Sequence, residues 1–117
     1  MAPDKRLTRV TARHAASALS VDAYEIHIGR TDGPDTARPF CFIGDVPEGA
    51  VDATGRVAGT YLHGLFVSDA FRRFFLGQMG IAATSDRFDA RIDSALDALG
   101  DHVERHLDIE GLLNVAR

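Results

Sequence analysis

The sequence predicts an α/β protein whose strands come first and whose helices come last. Three observations carry that reading. Residues 22–30 alternate as a strand does. A second alternating run, through Ala58, Thr60 and Leu62, stops abruptly at His63-Gly64. Phe88, Ile92, Leu96, Leu99 and Val103 then recur at helical spacing. By itself the order fits an α+β protein, or part of an α/β fold whose earlier βαβ units are missing.

The elements follow in chain order. Residues 1–6 read as a frayed lead-in and Leu7 to Ala12 as a strand. His14 to Ser20 is small and polar, a loop or a short helical turn. In the strand from Asp22 to Arg30, Tyr24, Ile26 and Ile28 form one face, expected in the core. Glu25, His27 and Gly29 form the other, expected outside, with the acid and the imidazole side by side. Thr31 to Pro39 is a loop, and Pro39 to Ile43 a short apolar strand closed by Gly44-Asp45. Gly49 to Ala53 and Arg56 to Leu62 read as a hairpin about Thr54-Gly55. Ser68 to Met79 is an amphipathic helix with Ser68 as N-cap and Gly80 at C′. Its buried side is expected to hold Phe71, Phe74, Phe75 and Met79. Residues 88–106 form a long helix, and Asp108 caps a last short one through Leu113. No repeat or linker divides the chain, so 1–117 reads as one domain.

Composition narrows the class. With 45% hydrophobic and 26% charged residues the chain resembles an ordinary globular protein. A net charge of −4 argues against nucleic acid or an anionic membrane as partner. No apolar run approaches the roughly 20 residues that span a bilayer. The N-terminus lacks the apolar stretch of a signal peptide, and the one Cys forms no internal disulfide, so the cytoplasm is the expected compartment.

His63 is the leading candidate for chemistry. It sits where a strand ends and a helix is about to begin, the edge at which α/β folds bind ligands. A His there is a base, a ligand or a plain turn residue. Cys41 lies between Phe40 and Phe42, which suits an inert buried thiol better than a strained nucleophile elbow. His102 and His106 share a helix face but lack the metalloprotease pattern, and His14 carries no signal. There is no phosphate-binding Gly-rich loop. The residues therefore offer a good base and no good nucleophile.

Tyr24-Glu25-Ile26-His27-Ile28-Gly29-Arg30-Thr31 and Gly59-Thr60-Tyr61-Leu62-His63-Gly64-Leu65-Phe66 resemble the C-terminal part of the cobyric acid synthase family. Ser68-Asp69-Ala70-Phe71-Arg72-Arg73 and the final helices, with Asp101-His102 and His106-Leu107-Asp108, extend the likeness from about Lys5 to the end. The resemblance implies an incomplete flavodoxin-like, class I glutamine amidotransferase domain. There a Cys thiolate attacks glutamine, a His acts as base and then acid, and ammonia leaves for a synthetase domain. The family His falls on His63. The resemblance also implies ATP and Mg²⁺ in the synthetase domain rather than in this chain. The substrate implied there is a corrinoid, adenosylcobyrinic acid a,c-diamide, whose carboxylates are amidated. The family's nucleophile elbow has no counterpart here, so the chain is expected to be a fragment and inactive alone. Many class I domains carry a Glu two residues after the His, where this chain has Leu65. Glu25 is the candidate for orienting His63 instead, and His27 beside it is a further candidate for supporting the site. The competing readings are a non-catalytic module that keeps the fold, and a small hydrolase using Cys41 with His63. A fragment of this kind is also expected to expose an apolar edge or face, with the strand after Asp22 losing neighbours, and to self-associate.

Overall fold

A computed structural model describes residues 6–82 and 87–117. The first stretch lies in one compact unit and the second in another. The first unit is built on a long antiparallel hairpin of β1 (Arg6–His14) and β2 (Ser20–His27), paired from Arg6↔His27 to Arg13↔Ser20. Short strands extend it: β3 (Cys41–Ile43) and β4 (Val46–Glu48) beyond β1, and β7 (Leu62–His63) beyond β2. The sheet order is β4-β3-β1-β2-β7. Between β4 and β7, β5 (Ala50–Val51) and β6 (Ala58–Gly59) pair with each other alone.

Strands thus precede helices, as the sequence predicts. Among the described residues every strand pair is antiparallel, and no parallel βαβ unit of flavodoxin type occurs. The strand after Asp22 does not lose its neighbours, because β2 is paired on both sides. The strand β4 lies outside the expected elements; Gly44, at φ 60°, makes the tight turn between β3 and β4.

The core lies under one face of the sheet. Ala12, Val21 and Ala23 pack with Cys41 and Leu62 around Phe71, which is fully buried. Burial of that ring contributes about 1.5–3 kcal/mol. Phe71 comes from α1 (Asp69–Gln78), capped by Ser68, whose Oγ accepts the Phe71 N–H at 3.3 Å. Gly80, at φ 72°, ends the helix, and the Ile81 N–H returns to the Leu76 carbonyl at 3.0 Å, a Schellman closure. Met79 is the C-cap, past the end of the core, and is exposed rather than buried.

The faces of β2 are reversed from the expectation. Val21 and Ala23 point inward, whereas Tyr24 is 46% and Ile28 56% exposed. Both parities of this strand carry apolar residues, so alternation cannot say which is inner. Small Val21 and Ala23 leave room for Phe71, and α1 covers their side. The other face, with Leu7, Tyr24 and Ile28, stays open and apolar among the described residues.

In the second unit, α2 (Phe88–His106) has the expected bounds, and α3 (Ile109–Val115) is capped by Asp108, which accepts the Gly111 N–H at 3.0 Å. Neither helix has a buried residue. No described helix is long and apolar enough to cross a membrane.

His14, read from sequence as part of a polar loop, is the last residue of β1 and is buried against Phe40, Phe71 and Phe74. Its Nδ1 accepts the Ser17 N–H at 3.3 Å and lies 2.8 Å from the Ser17 hydroxyl, which ties down the turn into β2. That turn holds Ala18 at φ 59°, a strained position for a residue with a Cβ. Burial lowers the His14 pKa below its ordinary 6.5. The unfolded chain therefore binds this proton more readily than the folded one. The contribution is fully present above 6.5 and is lost as pH falls from there toward the folded value. Asp52 is held down at about 2 by its Thr54 hydrogen bond and then by the Val57 amide, so its window lies below 3.8, outside a comparison of about pH 7.5 with about pH 5. Urea unfolding at about pH 7.5 and about pH 5 should show a loss of stability that His14→Phe reduces. Equal losses in both proteins would refute the assignment.

Candidate active site

Three local features present His63. Leu62 is buried and anchors β7, while His63, the next residue, is exposed. Register places His63 opposite Tyr24 and Leu62 opposite Glu25. Directly paired residues share a face, so His63 stands on the open apolar side with Tyr24. Gly64 then takes φ 85°, a left-handed turn that a side chain would strain, and leads into the 3₁₀ turn Leu65–Val67. The Arg72 guanidinium donates to the Phe66 carbonyl at 2.7 Å and pairs with Asp69 at 2.6 Å, tying this turn to α1. The turn and capped helix expected around His63 are present. The expected continuous strand over residues 56–62 is instead two strands of two residues each, β6 and β7, because the chain leaves its pairing with β5 and crosses to β2.

Glu25 and His27 form a different group. His27 Nε2 meets Glu25 Oε1 at 3.1 Å, and its Nδ1–H donates to the Gly29 carbonyl at 2.7 Å. The Tyr61 ring stacks on His27 with centroids 4.5 Å apart, and its hydroxyl bonds Thr31 at 2.5 Å. These residues, with Arg30 and Glu48, line a cleft of about 760 Å³ that does not include His63. The structure therefore brings Glu25 and His27 together and sets His63 on the other face of the sheet.

Glu48 was not singled out from sequence. It is buried, and both carboxylate oxygens are used within the segment before His63: Oε1 accepts the Tyr61 N–H at 2.6 Å and Oε2 the Thr60 hydroxyl at 2.7 Å. The one local signal for it is an acid followed directly by Gly49, whose φ is 72°.

Cys41 is fully buried. Burial, and then the neighbouring Glu48 charge, push its thiol up to about 12. A thiol so placed is not a nucleophile at neutral pH, which removes the basis for a hydrolase built on Cys41. His102 and His106 stack on one another, and His106 donates to the His102 carbonyl at 2.7 Å. Among the described residues no group of three or more His, Cys, Asp or Glu side chains is placed to hold a metal ion.

The first unit thus presents an exposed imidazole at a strand end, while its one thiol is buried; comparison with known proteins gives the family. Residues 1–71 match the CobB/CobQ-like glutamine amidotransferase domain, and the chain belongs to that family. Over 117 residues it is 60% identical to the cobyric acid synthase of Bradyrhizobium diazoefficiens, covering all of this chain and 24% of that protein. The cobyric acid synthases of Cereibacter sphaeroides and Rhodobacter capsulatus are 57% and 58% identical with the same coverage. The chain thus spans about a quarter of the length of these curated relatives. No solved structure matches it.

The buried thiol gives a direct check. Iodoacetamide at about pH 8 should leave Cys41 unmodified in the folded chain and alkylate it rapidly in denaturant, as read by mass spectrometry. Fast labelling of the native protein would show that Cys41 is accessible and activated.

Proposed function

We propose that this chain supplies the catalytic base of the glutaminase in a cobyric acid synthase. The observation that carries the reading is His63, exposed at a strand end before a left-handed glycine, in a chain 60% identical to such a synthase. A cysteine thiolate from outside this chain attacks the side-chain carboxamide of glutamine. His63 gives the departing ammonia its proton and then takes one from the water that cleaves the glutamyl thioester. Glutamate and ammonia leave. The ammonia amidates carboxylates of adenosylcobyrinic acid a,c-diamide, a corrinoid on the route to cobalamin. We assign ATP and Mg²⁺ to the synthetase part of the protein, outside these residues.

The open face beside His63 fits this role. Leu7, Tyr24 and Ile28 are the surface on which the nucleophile-bearing part of a class I, flavodoxin-like domain would pack, bringing its thiolate to the imidazole. Glu25 and His27 support the other side of the same strand. The chain studied alone should then be inactive toward glutamine and should self-associate through that face. Sedimentation of the isolated chain should show species larger than a monomer, with binding of a hydrophobic dye, and Leu7→Lys with Tyr24→Lys should reduce both. A clean monomer that binds no dye would contradict it.

The role of His63 is tested in the complete enzyme. His63→Ala should lower glutamine-dependent amidation by about 10²–10⁴-fold and leave ammonia-dependent amidation intact, because acid–base help is needed only to release ammonia from glutamine. His27→Ala should be milder. Normal glutamine use by His63→Ala would remove the reading; loss of both activities would mark a folding defect.

A further inference from the structure

We propose that Glu48 is a positioning residue for His63, an inference that rests on the glutaminase reading above. The segment Thr60-Tyr61 lies between two strands of two residues each, β6 and β7. A segment of that kind has few sheet hydrogen bonds to hold it. The Glu48 carboxylate takes their place. Its Oε1 accepts the Tyr61 N–H at 2.6 Å, and its Oε2 accepts the Thr60 hydroxyl at 2.7 Å. The Thr60 Oγ1 in turn accepts the Leu62 N–H at 3.0 Å. One side chain thus fixes the three residues that precede the base.

The surroundings show that this placement is built. Glu48 is only 8% exposed and, among the described residues, has no ion-pair partner. A buried carboxylate without a cation is unfavourable unless its oxygens are well bonded, and here both are. The backbone next to it is equally constrained. A Cβ at Gly49 would lie 2.5 Å from the Gly59 carbonyl oxygen and 2.9 Å from the Phe40 Cβ, so only glycine lets the chain pass under the His63 segment at this point. On its other side, the Phe40 N–H donates to the Glu48 carbonyl at 3.0 Å, which fixes Glu48 to the strand pair β3–β4. The anchor therefore runs from the sheet edge through Glu48 to Thr60, Tyr61 and Leu62, and so to His63. Register and backbone alone leave the imidazole on a two-residue strand. The carboxylate adds to the pairing with β2 and to the buried Leu62 a third hold, on the residues that lead into that strand.

A base displaced by about 1 Å can lose 10²-fold in rate without losing substrate affinity. In the complete enzyme, Glu48→Gln should therefore lower glutamine-dependent kcat by about 10²-fold, with the KM for glutamine and the ammonia-dependent rate unchanged. Gln keeps the size but turns one acceptor into a donor facing Thr60 or Tyr61. Thr60→Val, which removes the hydroxyl link to Leu62, should lower the same kcat, and Thr60→Ser should restore it. This pair decides the matter if Glu48→Gln does not fold. Wild-type kcat in both Glu48→Gln and Thr60→Val would overturn the inference, as would an equal fall in the ammonia-dependent rate, which marks a structural role alone. His63→Ala measured in parallel separates the two claims. Glutamine use that survives His63→Ala overturns the reading and the inference with it. Glutamine use lost in His63→Ala but kept in Glu48→Gln and Thr60→Val overturns the inference alone.

Discussion

The continuous pairing of β1 with β2 decides where everything else in the first unit faces. From Arg6↔His27 to Arg13↔Ser20 the register runs without interruption, and a slip of one residue would turn every side chain to the opposite face. With Ala12, Val21 and Ala23 inward, Tyr24 must be outward. His63 pairs with Tyr24 and is outward for the same reason. Glu25 and His27 follow the inner parity of Val21 and Ala23, and they end beside the cleft rather than beside the candidate base. The turn that closes the hairpin is held by His14, so a buried imidazole in the core and an exposed imidazole at the site depend on one strand pair.

Acidic groups serve this arrangement as frame. Asp52 organises the β5–β6 turn by accepting the Arg56 and Val57 N–H groups at 2.9 and 3.0 Å. Glu48 does the same for the approach to His63, and its charge adds to the burial that suppresses Cys41. Such a scaffold can hold a base in position and cannot make a thiolate. In the function proposed above, the inert Cys41 and the open apolar face are two aspects of one division of labour, in which other residues of the amidotransferase bring the nucleophile.

Local features were legible in the sequence, and features set by distant partners were not. Ser68, Gly80 and Asp108 mark helix ends because capping acts over three or four residues. The end of a strand at His63 was legible because alternation stops there and Gly64 permits the turn. The inner face of β2 was not, since Ala23 and Tyr24 are adjacent and both apolar, and the choice depends on where Phe71 packs. His14 reads as loop because an imidazole among Ala and Ser gives no hint of three aromatic rings around it. Glu48 acts on residues twelve and thirteen positions later in the chain, beyond the reach of any local pattern. The likeness to cobyric acid synthases marked His63 as the candidate base, and the geometry adds which side of the sheet it faces.

That side decides whether His63 can meet the nucleophile, and one structure tests it. The complete enzyme would be trapped with an electrophilic glutamine analogue that stays bound to the nucleophilic sulfur. This sulfur should lie within hydrogen-bond reach of His63, about 3 Å, on the side of the sheet that carries Tyr24 and Ile28. A labelled sulfur at Cys41, or one lying against the cleft of Glu25 and His27 on the opposite side, would contradict it.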